Sequence, residues 1–134
     1  MDRQEVIARI LALQLPATQY VVVGGAALSI RDLRETDDID LVVTPDLFSS
    51  LLRSGWSSKP RPNGKPGLRY DCFEAYLDVN SDGFSRSTPW LMEHAEVLHG
   101  IPCVDLETLI GWKRTYGRDK DLRDVEILEA LIRV

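Results

Sequence analysis

The chain has 134 residues, of which 44% are hydrophobic, and both values suit one globular domain with a core of moderate size. Its net charge of −5 argues against nonspecific binding along nucleic acid, because such binding requires phosphate neutralisation. No apolar run approaches the roughly 20 residues of a bilayer span, and the N-terminus lacks the pattern of a signal peptide. A cytoplasmic protein that makes no membrane contact is therefore expected.

The predicted elements alternate between helix and strand along the first part of the chain. Pro16 ends the first helix, and Asp46 is placed to cap the third. The predicted elements are a helix at 3–14, a strand at 20–23, a helix at 26–33, a strand at 39–43 and a helix at 47–53.

A stretch rich in proline, glycine, lysine and arginine at 57–67 predicts a hairpin or a long loop. Asp105 is placed to cap a helix that Gly117 ends. The further predicted elements are strands at 68–73 and 75–79, a hairpin at 96–104 and helices at 105–116 and 120–132. The whole pattern predicts an α/β (α+β) fold in one domain, with a mixed central sheet flanked by helices and a C-terminal helical pair.

The first candidate feature of a functional site is the glycine pair that ends the first strand. Gly24 and Gly25 carry no side chain, so the backbone there can come close to a ligand. A helix that follows directly would favour an anion, typically a phosphate, at its N-terminus. By itself the pair also fits a plain turn.

The second feature is a D-x-D motif at the head of the next strand. Because side chains alternate along a strand, Asp38 and Asp40 share one face, while Ile39 and Leu41 can pack in the core. Two neighbouring carboxylates repel each other, and a hard divalent cation such as Mg²⁺ removes that conflict. A solvated acidic turn is the alternative interpretation.

The third feature is Asp78, which stands between Leu77 and Val79 in a predicted strand. If this strand pairs beside 39–43, Asp78 lies next to the D-x-D motif. Three carboxylates could then hold two metal ions about 3.5–4 Å apart, as in-line attack of a hydroxyl on a nucleotide phosphate requires.

In this order, the three features resemble the nucleotidyltransferase superfamily of the polymerase β type. The similarity is closer still to its minimal bacterial members, the AbiEii-type toxins and related proteins. It rests on G-G-A-A-L at 24–28, R-x-T at 34–36, D-I-D-L at 38–41 and a C-terminal stretch at 105–124. The resemblance implies a nucleotidyltransferase fold and nucleotidyl transfer from an NTP such as ATP.

The resemblance also implies the residues of the site. They are Gly24 and Gly25 for the triphosphate, Asp38 and Asp40 as ligands of two Mg²⁺ ions, Asp78 as the third acid and metal ligand, and Lys113 and Lys120 for phosphates. Gly25 stands where the wider superfamily often has serine, so a hydroxyl contact to phosphate is absent. Solvated helix lysines remain an alternative for Lys113 and Lys120, and Trp112 is interpreted as a packing residue.

The acceptor hydroxyl stays open between tRNA, a protein and a small molecule. A toxin role, with a cognate antitoxin protein as partner, follows from the resemblance alone. A non-catalytic module that binds a nucleotide or a partner protein is the alternative function. Five basic residues and no acid occupy 47–70, and this stretch is either a solvated loop or a contact for an RNA backbone.

Overall fold

The computed structural model describes residues 1–81 and 84–132. The helices are α1 (Arg3–Ala12), α2 (Gly24–Ile30), α3 (Pro45–Arg53), α4 (Thr88–Glu93), α5 (Leu106–Tyr116) and α6 (Asp119–Ile132). The strands are β1 (Tyr20–Val23), β2 (Ile39–Val43), β3 (Ser57–Ser58), β4 (Gly67–Tyr70), β5 (Phe73–Tyr76), β6 (Asp78–Ser81), β7 (Phe84–Ser87), β8 (Glu96–Leu98) and β9 (Ile101–Cys103).

The described strands form a central seven-stranded sheet in the order β3-β4-β5-β2-β1-β9-β8, and a separate two-stranded sheet of β6 and β7. Strand β2 runs antiparallel to β1 and parallel to β5, while β9 runs parallel to β1. The sheet is therefore mixed. Together with the flanking helices and the pairing of α5 with α6, it confirms the predicted fold class.

The central sheet separates two hydrophobic cores. On one face, Ile39 and Leu41 pack with α1, α2 and α3. On the other face, Val42 packs with residues of α4, α5 and α6. The alternation predicted for β2 is therefore confirmed, and it places Asp40 on the same face as Val42, toward the C-terminal helices.

Several local expectations are corrected. Helix α2 begins at Gly24 itself rather than at residue 26. The side chain that caps α3 is Thr44, which accepts a hydrogen bond from the Leu47 amide, with Pro45 in the first turn. Strand β7 and helix α4 were not expected, although Ser87 followed by Thr88 and Pro89 is a recognisable helix start.

In the described parts of the chain, none of the helices combines the length and the apolar character that a membrane crossing requires. Both cysteines are free thiols, with Cys103 buried and Cys72 partly exposed.

Candidate active site

The glycine pair packs against the D-x-D segment. Gly24 has a φ of +65°, and a Cβ atom there would lie 2.8 Å from Oδ2 of Asp40. A Cβ atom at Gly25 would lie 2.7 Å from the Thr36 hydroxyl and 3.1 Å from the Arg34 guanidinium. Neither position therefore has room for a side chain, because the neighbouring side chains already lie against the backbone there. The predicted approach of a phosphate to the pair stays a prediction.

Asp40, whose Oδ2 lies against Gly24, has a pKa far above its ordinary value. Its Oδ1 is buried and has no hydrogen-bond partner. Burial, together with the charges of Glu74 and Asp38, raises the pKa of Asp40 to about 7, against the opposing charges of Lys113 and Lys120. A buried carboxylate oxygen without a partner costs free energy, so this position favours a cation or a proton.

Asp38 is exposed at the head of β2, one residue before the strand begins. The Thr36 hydroxyl donates a hydrogen bond of 2.9 Å to the Asp38 carbonyl oxygen, which fixes the turn before the strand. The two carboxylates of the D-x-D motif therefore differ, because Asp38 is exposed to solvent whereas Asp40 has one buried oxygen.

The expected pairing of Asp78 with β2 is corrected. The parallel register of β2 and β5 places Glu74 opposite Asp40. Asp78 lies beyond a break at Leu77, in β6, which pairs with β7. Asp78 still lines the same cleft as Asp38 and Asp40. Among the neighbouring acids, Glu74 raises the pKa of Asp40 most.

Glu74 and Asp78 are both held by basic residues of the chain segment that leads into them. Asp78 pairs with Arg61 at 2.9 Å and Lys65 at 3.2 Å. Burial alone would raise its pKa, but the hydrogen bonds and charges of these two cations lower the pKa of Asp78 overall.

Glu74 is engaged in the same way. It pairs with Lys59 and Arg69, each at 2.8 Å, and accepts a hydrogen bond from the Tyr76 hydroxyl. Its pKa is lowered overall, although burial opposes this. Four of the five cations in the basic stretch at 47–70 are therefore paired with acids, although the side chains of Lys59, Lys65 and Arg69 stay 54%, 38% and 42% exposed. The solvated loop and the RNA contact both stay predictions.

A buried ionic cluster joins the C-terminal helices to the loop before β2. Asp124 of α6 is 4% exposed, and accepts two hydrogen bonds from Arg34, at 2.8 and 2.9 Å. Lys113 of α5 is 7% exposed and lies 2.9 Å from the Asp124 carboxylate and 3.8 Å from Asp121. Lys113 is therefore not a solvated helix lysine. It faces the cleft with its charge already partnered.

Two further cations line the cleft from α6, Lys120 and Arg123. The ion pairs between described side chains involve neither of them. Lys120 acts on Asp40 electrostatically, because its charge lowers the pKa of that carboxyl. Sequence reasoning found Lys120 and missed Arg123, although the two lie three residues apart and hence on one face of a helix.

These residues enclose a cleft of about 980 Å³ between the D-x-D segment, the basic stretch and the C-terminal helices. Within residues 1–81 and 84–132, no group of three or more His, Cys, Asp or Glu side chains is arranged to hold a metal ion. Mg²⁺ in proteins often takes only one or two carboxylates and completes its shell with water and substrate phosphates. The pair of Asp38 and Asp40, with its unpartnered buried oxygen, fits that mode.

Neither a protein-family model nor a curated protein sequence matches the chain. Solved structures do resemble it. The antibiotic-resistance factor ANT(2'')-Ia in solution has a TM-score of 0.63 at 18% identity, over 98% of this chain and 86% of that one. A protein of Thermotoga maritima assigned as a nucleotidyltransferase has a TM-score of 0.61 at 21% identity, over 99% and 96%.

The crystal structure of ANT(2'')-Ia in complex with adenylyl-2''-tobramycin has a TM-score of 0.58 at 18% identity, over 96% of this chain and 86% of that one. At these identities the likeness concerns the fold, and the narrower similarity to AbiEii-type toxins stays a prediction. The chain has the nucleotidyltransferase fold.

Proposed function

We propose that the protein is a Mg²⁺-dependent nucleotidyltransferase that moves a nucleotidyl group from an NTP to a hydroxyl acceptor. The proposal rests on the state of the Asp40 carboxylate. Its buried Oδ1 has no partner, and its Oδ2 faces the backbone of Gly24 in a cleft of the nucleotidyltransferase fold. A carboxylate kept in this state suits a cation that arrives together with a phosphate ligand.

In this proposal, Asp38 and Asp40 hold the ion that accompanies the triphosphate. The ion, when bound, neutralises charge that develops on the phosphate oxygens and on the leaving group. The backbone of Gly24 and Gly25 lets the phosphates approach, and Lys120, which lines the same cleft, supplies a positive charge. Lys113, held by Asp124, adds a fixed charge next to Asp40.

Asp78 lies on the part of the cleft wall that the basic stretch also lines, through Arg61, Pro62 and Asn63. We propose that it acts on the acceptor hydroxyl there, and that a second Mg²⁺ ion would bind at this acid. Because Arg61 and Lys65 hold its carboxylate, this role requires them to release it.

A small-molecule acceptor is favoured among the three classes. One of the similar structures, ANT(2'')-Ia, is in complex with an adenylylated small molecule, adenylyl-2''-tobramycin. Four of the five cations that could bind an RNA backbone are paired with Glu74 or Asp78. A tRNA or protein acceptor, and a toxin role with a cognate antitoxin, remain secondary proposals.

The same ion pairs favour one alternative, a non-catalytic module that binds a nucleotide. If Arg61 and Lys65 never leave Asp78, the cleft has an acid pair for a nucleotide-bound ion but none for an acceptor. Binding of Mg·ATP without transfer to any acceptor is what this alternative predicts.

The proposal is tested by the thermal stability of the protein with Mg·ATP, followed by transfer assays with α-labelled ATP and GTP and a panel of hydroxyl acceptors. Asp38→Asn is expected to lose the stabilisation by Mg·ATP, because it removes one metal ligand. The matched control is Asp37→Asn, which changes the neighbouring exposed acid and should keep the wild-type response. Equal loss in both variants would contradict the assignment.

Asp78→Asn is expected to lower transfer at least a hundredfold with little change in the affinity for Mg·ATP, because in this proposal Asp78 acts on the acceptor while Asp38 and Asp40 hold the nucleotide-bound ion. Glu74→Gln should keep transfer within about tenfold of wild type, since Glu74 is already engaged by two cations and Tyr76. Steady-state kinetics of the two variants make the comparison. A larger loss of transfer in Glu74→Gln than in Asp78→Asn would assign the role of third acid to Glu74, which lies opposite Asp40 in the sheet.

A further inference from the structure

Two aromatic residues line the cleft at its C-terminal wall. Trp112 and Tyr116 lie four residues apart on α5, about one helical turn, and both border the cleft that contains Asp38 and Asp40. Their ring centroids are 5.8 Å apart in a tilted arrangement. The function proposed above uses neither ring.

Tyr116 is the accessible member of this pair. Its relative exposure is 46%, which places it among the large hydrophobic residues that stay exposed. The Arg118 guanidinium lies 4.9 Å from the centre of the Tyr116 ring, and Asp121 holds that guanidinium by a hydrogen bond of 2.6 Å. The ring therefore contacts Arg118 and Trp112, and it still lines the cleft as an exposed residue.

The surroundings of Tyr116 combine an apolar surface with a nearby phosphate-binding region. Ile127 of α6 lines the same cleft, and so do Lys120 and Arg123, which take part in none of the ion pairs between described side chains. A nucleotide has the same division, with a flat base at one end and a charged triphosphate at the other. Aromatic rings bind bases by stacking, with little regard to base identity.

We propose that Tyr116, braced by Trp112 and Arg118, is the platform on which the base of the NTP stacks. This rests on the proposed function and deepens it, because it assigns the base to the α5 side of the cleft and the triphosphate to the side of Gly24 and Asp40. Tyr116 is then a residue that binds the substrate and takes no part in the chemical step.

The test separates base binding from phosphate binding by titrating two ligands calorimetrically, Mg·ATP and Mg·tripolyphosphate. The affinity of Tyr116→Ala for Mg·ATP should fall about tenfold, while the affinity of this variant for Mg·tripolyphosphate should stay within twofold of wild type. Tyr116→Phe should keep both affinities, since stacking needs the ring and not the hydroxyl. Tyr70→Ala is the matched control, because Tyr70 is 51% exposed but stacks on Trp56, outside the cleft-lining set.

Equal weakening of both ligands by Tyr116→Ala, or no weakening of Mg·ATP, would overturn the base platform and leave the proposed function standing. A wild-type protein that binds neither ligand would overturn the proposed function and the platform together.

Discussion

Asp40→Asn is expected to lower nucleotidyl transfer by about a thousandfold, because it removes a metal ligand worth several kcal/mol of transition-state stabilisation. The same change should leave the ligand-free protein at least as stable as wild type at pH 8. The Asp40 carboxylate is penalised there, since its pKa is raised to about 7 by burial and by the charges of Glu74 and Asp38. An amide of the same shape carries no charge and avoids that penalty.

The pH dependence of stability follows from the same pKa. The unfolded chain ionises Asp40 near its ordinary pKa of 3.8, whereas the folded protein keeps the proton up to about pH 7. Stability from this group is therefore fully present below pH 3.8, falls as the pH rises toward 7 and is lost above it. Thermal unfolding of wild type and Asp40→Asn from pH 5 to pH 8 measures the difference, which should grow across this range in favour of the variant.

With Mg·ATP added, wild type should become more stable than Asp40→Asn, since the ion binds the ionised carboxylate and competes with the proton. Stabilisation of wild type by Mg·ATP is therefore expected to increase between pH 6 and pH 8. In Asp40→Asn the stabilisation by Mg·ATP should be small and should not change with pH. A variant that is less stable than wild type at pH 8 without ligand, yet fully active, would contradict both parts of the prediction.

Asp124→Ala is expected to cost about 3–5 kcal/mol of folding stability, the largest loss among the polar substitutions considered. Asp124 is 4% exposed and pairs with both Arg34 and Lys113. Without it, the buried Lys113 ammonium keeps only Asp121, at 3.8 Å, and the contact between α6 and the loop before β2 is broken. Chemical denaturation at neutral pH, where Asp124 is ionised in wild type, measures the loss.

Glu126→Ala is the matched control for Asp124→Ala. Glu126 lies two residues further along α6 and is exposed, so its removal should change stability by no more than about 0.5 kcal/mol. Because hydrogen bonds from Arg34 and Lys113 lower the pKa of Asp124 against the effect of burial, its stabilisation is present above pH 3.8 and declines as the pH falls further. Similar losses in the two variants would contradict a structural role for the ionic cluster.

The parts of the site that depend on local pattern could be predicted from the sequence. Gly24 directly follows β1 and Ile39 packs in the core, as the pattern of neighbours in the chain predicted. The fold class followed from the order of the elements for the same reason.

The register between strands could not be predicted. Glu74 and Asp78 are four residues apart and each stands between apolar neighbours, so alternation alone puts both on one face. Only the pairing of β2 with β5 shows that Glu74 lies opposite Asp40. The break at Leu77, which moves Asp78 into a second sheet, has no signal in composition.

The acids that pair with the basic stretch could not be predicted either, because they are distant from it in the sequence. Arg61 and Lys65 meet Asp78 only after the chain has turned through β4 and β5, across 17 and 13 residues. A run of cations without acids therefore resembled an open basic patch, while the folded chain neutralises it internally. The pairing of Arg34 with Asp124, which are 90 residues apart, could not be predicted from the local sequence pattern either.

The most direct test of the central claim is an anomalous difference map from crystals grown with Mn²⁺ and a non-hydrolysable ATP analogue. We expect a manganese peak within coordination distance of the Asp38 and Asp40 carboxylates, with the triphosphate against the backbone of Gly24. A nucleotide bound elsewhere, or bound in the cleft with no metal at these two carboxylates, would contradict the account.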